Sequence, residues 1–93
     1  MFDWDRNNLR KVRAHGVAPE EAEQALLNES IPVHEQEIEG ERRFTYYGQT
    51  SAGRILAVVA TQRGERIRVI TAYDLDRRQL RDYFRWRFEG ENE

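Results

Sequence analysis

Residues 53–73, GRILAVVATQRGERIRVITAY, decide the fold of this 93-residue chain. Two apolar runs, residues 55–61 and 67–71, are rich in β-branched side chains and flank a short turn at Arg63-Gly64. Valine and isoleucine favour strands, and a glycine supplies the positive φ that a tight reversal needs. The pattern therefore predicts a central β-hairpin, around which the rest of the chain is organised.

The second strand of this hairpin carries Arg66 and Arg68, which are two residues apart. Side chains two apart in a strand lie on the same face of a sheet. Because two buried and unpaired guanidinium groups would be strongly unfavourable, we expect this face to be open or to contact an anion. Arg54, which opens the paired strand, would join them across the sheet.

Composition restricts the class of protein. The longest apolar run is residues 55–60, six residues long and far too short to span a membrane. The first five residues are acidic and aromatic, unlike a secretion signal. The absence of cysteine excludes disulfides, a thiol nucleophile and thiolate metal sites. These features predict a single domain over residues 1–93, located in the cytoplasm and without a membrane segment.

Charge is divided unequally along the chain. Residues 1–41 carry four basic and ten acidic side chains, whereas residues 42–88 carry eleven basic and four acidic ones. Fourteen of the fifteen basic residues are arginine, which binds phosphate bidentately and stacks on bases. The basic part therefore favours an anionic partner, and pairing of these arginines with the acidic part of the chain is the alternative.

The N-terminal third predicts a possible short edge strand, residues 2–4, followed by a helical hairpin. Asp5 is a good N-cap for a helix over residues 6–15, and Gly16 follows as a closing glycine. Pro19 suits the first position of a second helix, where the acidic residues that follow favour the helix dipole.

The segments around the hairpin complete the fold. Residues 31–40 predict an edge strand that runs into a loop, and residues 42–48 predict a further strand. Asp74 or Asp76 would cap a last helix over residues 77–88. The residues expected to form its buried face are Leu80, Phe84 and Phe88, with Tyr83 beside them. These elements predict an α+β domain with N-terminal helices packed on an antiparallel β-sheet and a C-terminal helix.

Several short motifs occur in a fixed order along the chain. They are Trp4-Asp5, His15-Gly16-Val17, Glu20-Glu21-Ala22, Glu41-Arg42, Gly53-Arg54 and the run from Arg66 through Ala72. In this order they resemble the BrnT family of bacterial type II toxins over nearly the whole chain. The resemblance implies a RelE-like fold, cleavage of RNA without a metal or other cofactor, and a cognate antitoxin that binds DNA.

The chain departs from the family pattern at two positions. Thr71-Ala72-Tyr73 stands where the family commonly has Ser-Ala-Arg, and Ala14 stands where a lysine commonly precedes the His-Gly-Val motif. Tyr73 can stack on a base or donate a hydrogen bond, but it cannot neutralise a phosphate.

Metal-independent cleavage of RNA needs a base for the 2′-hydroxyl, cations for the phosphate and an acid for the leaving 5′-oxygen. The resemblance places His15 in a family motif, although a histidine at a helix C-terminus also interacts favourably with the dipole. Glu41 is a candidate base or a partner in a cross-strand ion pair. The candidate catalytic residues are His15, Glu41, Arg54, Arg66 and Arg68, and the candidate RNA-binding residues are Lys11, Arg42 and Tyr73.

Three functions are compatible with these residues. The first is a metal-independent endoribonuclease toxin that acts on mRNA. The second is a RelE-like protein that binds an antitoxin or RNA without catalysis, as the residues at positions 73 and 14 suggest. The third is a metal-dependent hydrolase that uses the acids beside His34, namely Glu35, Glu37, Glu39 and Glu41. A homo- or hetero-oligomer is compatible with the first two.

Overall fold

A computed structural model describes residues 1–89 of the chain. Within these residues there are three α-helices and one four-stranded antiparallel sheet. The elements are α1 (Arg6–Ala14), α2 (Pro19–Leu27), β1 (Ile31–Ile38), β2 (Glu41–Gln49), β3 (Ile55–Arg63), β4 (Arg66–Asp74) and α3 (Arg77–Phe84), which continues as a π-helical turn at Arg85–Glu89. The strands lie in the order β1-β2-β3-β4. The predicted α+β fold with a C-terminal helix is confirmed.

The central hairpin forms as predicted and is longer than its apolar runs. The turn is Gly64-Glu65, between the end of β3 and the start of β4, and Gly64 adopts a φ of 61° that favours glycine. In the middle of β3, Leu56, Ala57 and Val58 are fully buried. Consecutive buried residues require cover on both faces of the sheet, because side chains alternate between the faces.

The helices provide this cover and bury two separate apolar clusters. The first cluster joins α1 and α2 to one face of the sheet and contains Val12, Val17, Ala22, Ala25, Leu56, Val58, Val69 and Ala72. The second joins α3 to the other face and contains Tyr47, Ala57, Leu75 and Tyr83, with Tyr73 and Leu80 packed against them. The sheet is therefore the middle layer of three.

One glycine allows a close approach between α2 and the sheet. A Cβ atom at Gly48 of β2 would lie 1.9 Å from the carbonyl oxygen of Ala25. Backbone cannot yield at that distance, so only glycine fits here. The contact sets how closely α2 can pack on β2.

The segment after α2 corrects the prediction of an edge strand that runs into a loop. β1 continues to Ile38, and Glu39 and Gly40, with φ of 51° and 81°, form the turn into β2. Two successive residues with positive φ suit the twist of a tight hairpin. The predicted edge strand is therefore present and continues through residues 34–38. An edge strand exposed to solvent needs little apolar alternation, which is why its polar residues were interpreted as the start of a loop.

Asp5 and Asp76 cap α1 and α3, each accepting a hydrogen bond from the backbone N–H three residues further on. Of the two caps considered for the last helix, Asp76 is the correct one. The predicted leading strand is reduced to a single parallel bridge between Phe2 and Ile67 on the edge strand β4.

The predicted buried face of the last helix was wrong at two positions. Tyr83 is fully buried and Leu80 is half-buried, whereas Phe84 and Phe88 are 44% and 54% exposed. Leu80 and Tyr83, three residues apart, face the sheet, so Phe84 lies on the flank of the helix. The π-helical turn then changes the angular position of the residues that follow. No helix within residues 1–89 is long and apolar enough to cross a membrane.

Candidate active site

His15 lies immediately after α1, as its C-cap residue. Gly16 follows with a φ of 71° and ends the helix, which directs the chain into the core at Val17. The imidazole is exposed, and its ring centroid lies 5.9 Å from that of Tyr73 on β4. An exposed imidazole beside a phenol can take up or release protons on a bound substrate.

Arg54 connects three segments at this end of the sheet. Its Nε and Nη2 donate to Asp74 Oδ1 and Oδ2 at 2.8 and 2.9 Å, at the end of β4. Its Nη1 donates to the Gly16 carbonyl at 2.9 Å and to Glu21 Oε1 at 3.1 Å. Glu21 also accepts a hydrogen bond from the Ala18 N–H at 2.9 Å and so caps α2. The loop that carries His15 is thereby fixed to the sheet.

The positive charge of Arg54 is compensated within this cluster. The hydrogen bonds from Arg54 lower the pKa of Asp74. The pKa of Glu21 is lowered first by the Ala18 N–H and then by Arg54, and the pKa of Arg54 is raised, chiefly by Asp74. One guanidinium therefore faces two ionised carboxylates and has no uncompensated charge. This pairing gives no support to the predicted role of Arg54 as a phosphate ligand, and it indicates that Arg54 positions the His15 loop.

Glu41 belongs to a different ion-pair cluster. Its carboxylate lies 2.8 Å from Arg43 Nε and 3.5 Å from Arg63 Nη2. The hydrogen bond from Arg43 is the main reason that the pKa of Glu41 is lowered. A carboxylate held ionised by two arginines is a weak general base.

The two clusters lie at opposite ends of the hairpin. Tyr73, the neighbour of His15, pairs with Ala57, which precedes Arg63 by six positions along β3. At about 3.3 Å per strand residue, the ends are roughly 20 Å apart. Glu41 and His15 therefore cannot act on the same phosphate.

Arg66 and Arg68 have different surroundings. Arg66 lies opposite Arg63 at the far end of the hairpin, where it is exposed and forms no ion pair with any of residues 1–89. Arg68 Nη2 lies 2.6 Å from Asp5 Oδ2 and 3.4 Å from Asn8 Oδ1. The pKa of Asp5 is lowered first by the Asn8 N–H and also by Arg68. Arg68 thus fixes the start of α1 to β4.

The predicted catalytic residues do not meet in one groove, because Arg54 and Arg66 lie at opposite ends of the hairpin. The sequence model of the family described as "Ribonuclease toxin, BrnT, of type II toxin-antitoxin system" matches residues 4–79, which is most of the chain.

The chain belongs to the BrnT family. BrnT proteins are ribonuclease toxins of type II toxin–antitoxin systems, so membership implies a cognate antitoxin as partner. A search of individually curated proteins gave no significant match. The segment that matches the BrnT family includes His15, Arg54 and Tyr73 and ends inside α3.

The remaining candidates for RNA binding lie apart from one another. Lys11 is exposed on α1 one turn before His15, and residues four apart share a helix face. Arg42 pairs with Glu35 of β1 at 3.2 Å, with 70% of its side chain exposed. His34 is exposed on the same edge strand. Among residues 1–89, no three acidic or histidine side chains lie close enough together to hold a metal ion.

Two residues of the His15 end were not predicted as functional. Glu21 lies in one of the family motifs but was interpreted only as an acid at a helix N-terminus. Asp74 was considered only as a helix cap. Counting pairs outward from the Gly64 turn places Asp74 close to Arg54, so the hairpin register contained this signal.

Proposed function

We propose that this BrnT-family protein is a toxin that cleaves mRNA without a metal ion, and that His15 is its acid–base group. The observation that supports this proposal best is the exposed imidazole of His15, 5.9 Å from Tyr73, on a loop that Arg54 fixes to the sheet. Family membership supplies the reaction class. Because mRNA is the proposed substrate, the cytoplasm is the proposed site of action.

The reaction uses the 2′-hydroxyl of the RNA as an internal nucleophile. His15 removes its proton and so acts as the general base. The 2′-oxygen then attacks the phosphate, and the bond to the 5′-oxygen breaks. The phenol of Tyr73 protonates that leaving oxygen, and Lys11 supplies positive charge beside the imidazole. The products are a 2′,3′-cyclic phosphate and a 5′-hydroxyl end.

The two histidines of the chain provide a matched pair of variants. We expect His15→Ala to reduce cleavage of labelled mRNA at least about 100-fold in the presence of EDTA. His34→Ala removes an equally exposed imidazole on β1 and should leave the rate unchanged. Neither change should alter thermal unfolding by much, because exposed side chains contribute little to stability. Full activity of His15→Ala would refute the assignment, and loss of wild-type activity in EDTA would refute metal independence.

A binding protein without catalysis is the second candidate, and one observation favours it. Arg54 and Arg68, two of the arginines expected to hold phosphate, are engaged by carboxylates of the chain itself. Such a protein would bind RNA or its antitoxin in a salt-sensitive manner and leave the RNA intact. Stable RNA complexes without cleavage products, together with normal growth of cells that express the protein, would favour this candidate.

A further inference from the structure

The C-terminal part of α3 and its π-helical turn expose aromatic side chains that the proposed mechanism does not use. Phe84, Trp86 and Phe88 are 44%, 45% and 54% exposed, and they are three of the five large apolar residues exposed among residues 1–89. Trp86 stacks on Tyr47, with ring centroids 6.1 Å apart and planes inclined by 18°. Because Tyr47 is buried, it holds the indole in place while nearly half of Trp86 stays open.

A row of aromatic rings connects Trp86 with His15 across the sheet. Tyr47 and Tyr73 both pair with Ala57, one from β2 and the other from β4. They therefore stand at the same level on the α3 face, about 10 Å apart. Tyr73 contacts His15 and Tyr47 contacts Trp86, so the row extends over on the order of 20 Å.

The exposed side of the same helix carries arginines without acidic partners. Within residues 1–89, six arginines form ion pairs with acidic residues, but Arg77, Arg78, Arg81 and Arg85 form none. Residues four apart share a helix face at a spacing of about 6 Å, which aligns Arg77, Arg81 and Arg85. Guanidinium groups that bind phosphate and an exposed aromatic ring that stacks on a base are the two features that bind single-stranded nucleic acid, and this one element carries both.

We propose that Trp86 and the arginines of α3 form a subsite for single-stranded RNA that extends the substrate site from His15. The identity of the ligand rests on the proposed function. A base stacks on the open side of Trp86, supported by Tyr47, and the arginines bind the phosphates on either side. A duplex keeps its bases stacked on one another, so the subsite selects unpaired RNA. Trp86 lies outside the segment that the family model matches, residues 4–79.

The test measures binding of fluorescein-labelled single-stranded RNA that is 2′-O-methylated throughout, because the blocked 2′-oxygen prevents cleavage. We expect Trp86→Ala to weaken binding about tenfold and Trp86→Phe to retain most of the affinity, since stacking needs only an aromatic face. The double variant Arg77→Ala/Arg81→Ala should weaken binding and reduce its salt dependence. The matched control is Arg6→Ala/Arg10→Ala, which removes two exposed arginines from α1 on the other side of the sheet. A duplex of the same sequence should bind more weakly than the single strand.

Each outcome separates the subsite from the proposed function. Wild-type RNA affinity of Trp86→Ala would overturn the subsite, even if His15→Ala abolishes cleavage. Weaker RNA binding by Trp86→Ala, with no cleavage by any form of the protein, would support the subsite on a non-catalytic protein. Loss of antitoxin binding alone would assign the surface to the antitoxin and overturn the proposal. Quenching of Trp86 fluorescence by RNA in a Trp4→Phe background gives a readout that a folding defect cannot produce.

Discussion

At each end of the β3–β4 hairpin, arginine pairs with acidic residues, but the two clusters join different parts of the fold. At one end, Arg54 bonds to residues 20, 33 and 38 positions away in sequence and so joins β4, α2 and the loop before it. At the other end, Glu41 pairs with Arg43 on its own strand and Arg63 on the next. The first cluster organises the loop that carries His15, the proposed acid–base residue, whereas the second only joins neighbouring strands. Both clusters consist of arginine–carboxylate pairs, so the difference lies in which segments each one joins. An ion-pair cluster can position a loop only when its members come from separate segments of the chain.

Arg54→Ala is expected to have the largest effect of the variants that test this comparison. It leaves Glu21 and Asp74 as neighbouring unpaired carboxylates and frees the Gly16 carbonyl, so His15 loses its fixed position near Tyr73. Misplacement of a catalytic group by about 1 Å costs on the order of 100-fold in rate. We expect a loss of that size in RNA cleavage, with a melting temperature several degrees lower.

Arg63→Ala is the matched control at the other end. Its side chain is 53% exposed, and surface pairs of this kind contribute about 0–1 kcal/mol. Cleavage should therefore stay within about twofold of wild type. Equal losses in the two variants would show that the ends do not differ in function.

Tyr73→Phe should have a smaller effect, because it removes the hydroxyl and keeps the ring that packs against the second apolar cluster and contacts His15. Water can replace the phenol as the acid, so we expect a rate loss of about tenfold. The loss should appear in kcat with little change in KM. A variant as active as wild type would remove Tyr73 from the chemistry and leave it a role in stacking.

Acid unfolding distinguishes the two ends through their carboxylates. Glu21 and Asp74 have folded-state pKa values below their ordinary values of 4.5 and 3.8. The stability they contribute is complete above the unfolded-state pKa and is lost as the pH falls through the lower folded-state pKa, because the unfolded chain binds protons first. Melting temperatures measured from about pH 6 to 3 should therefore fall on acidification, and by less in Arg54→Ala. Arg63→Ala should follow wild type closely, since Glu41 keeps Arg43. Parallel curves for wild type and Arg54→Ala would contradict this linkage.

The sequence was sufficient to predict those elements whose pattern of apolar residues follows from burial. The apolar run of β3 is buried on both faces and could be recognised without any knowledge of its neighbours. The full extent of β1 could not, because a solvated edge strand is under no such constraint. The exposure of Phe84 and Phe88 was also hidden, since their regular spacing suggested a buried stripe. Phe84 instead lies on the flank of α3, and Phe88 lies in the π-helical turn that follows.

For the candidate site, the sequence predicted His15 and Tyr73 as site residues, but it did not show what holds the two side chains close together. The partners of Arg54 come from three segments, and no local pattern connects them. The separation of Glu41 from His15 was easier to predict from the sequence. A tight turn at Gly64 places residues near Arg63 at one end of the hairpin and residues near Arg54 at the other. Counting strand pairs from this turn was therefore enough to assign the candidate site residues to two separate ends.

Glu41→Gln is expected to have the smallest effect and gives the strictest test of the comparison. The amide keeps the shape of the side chain and removes a charge roughly 20 Å from Tyr73, too far to alter proton transfer at His15. Cleavage should stay within about twofold of wild type. Arg43 and Arg63 lose their shared counter-ion, so RNA affinity should rise slightly at low salt and return to the wild-type value at high salt. A tenfold loss of cleavage would instead place the reacting phosphate at the Glu41 end, and His15 would then be a helix C-cap residue without a catalytic role.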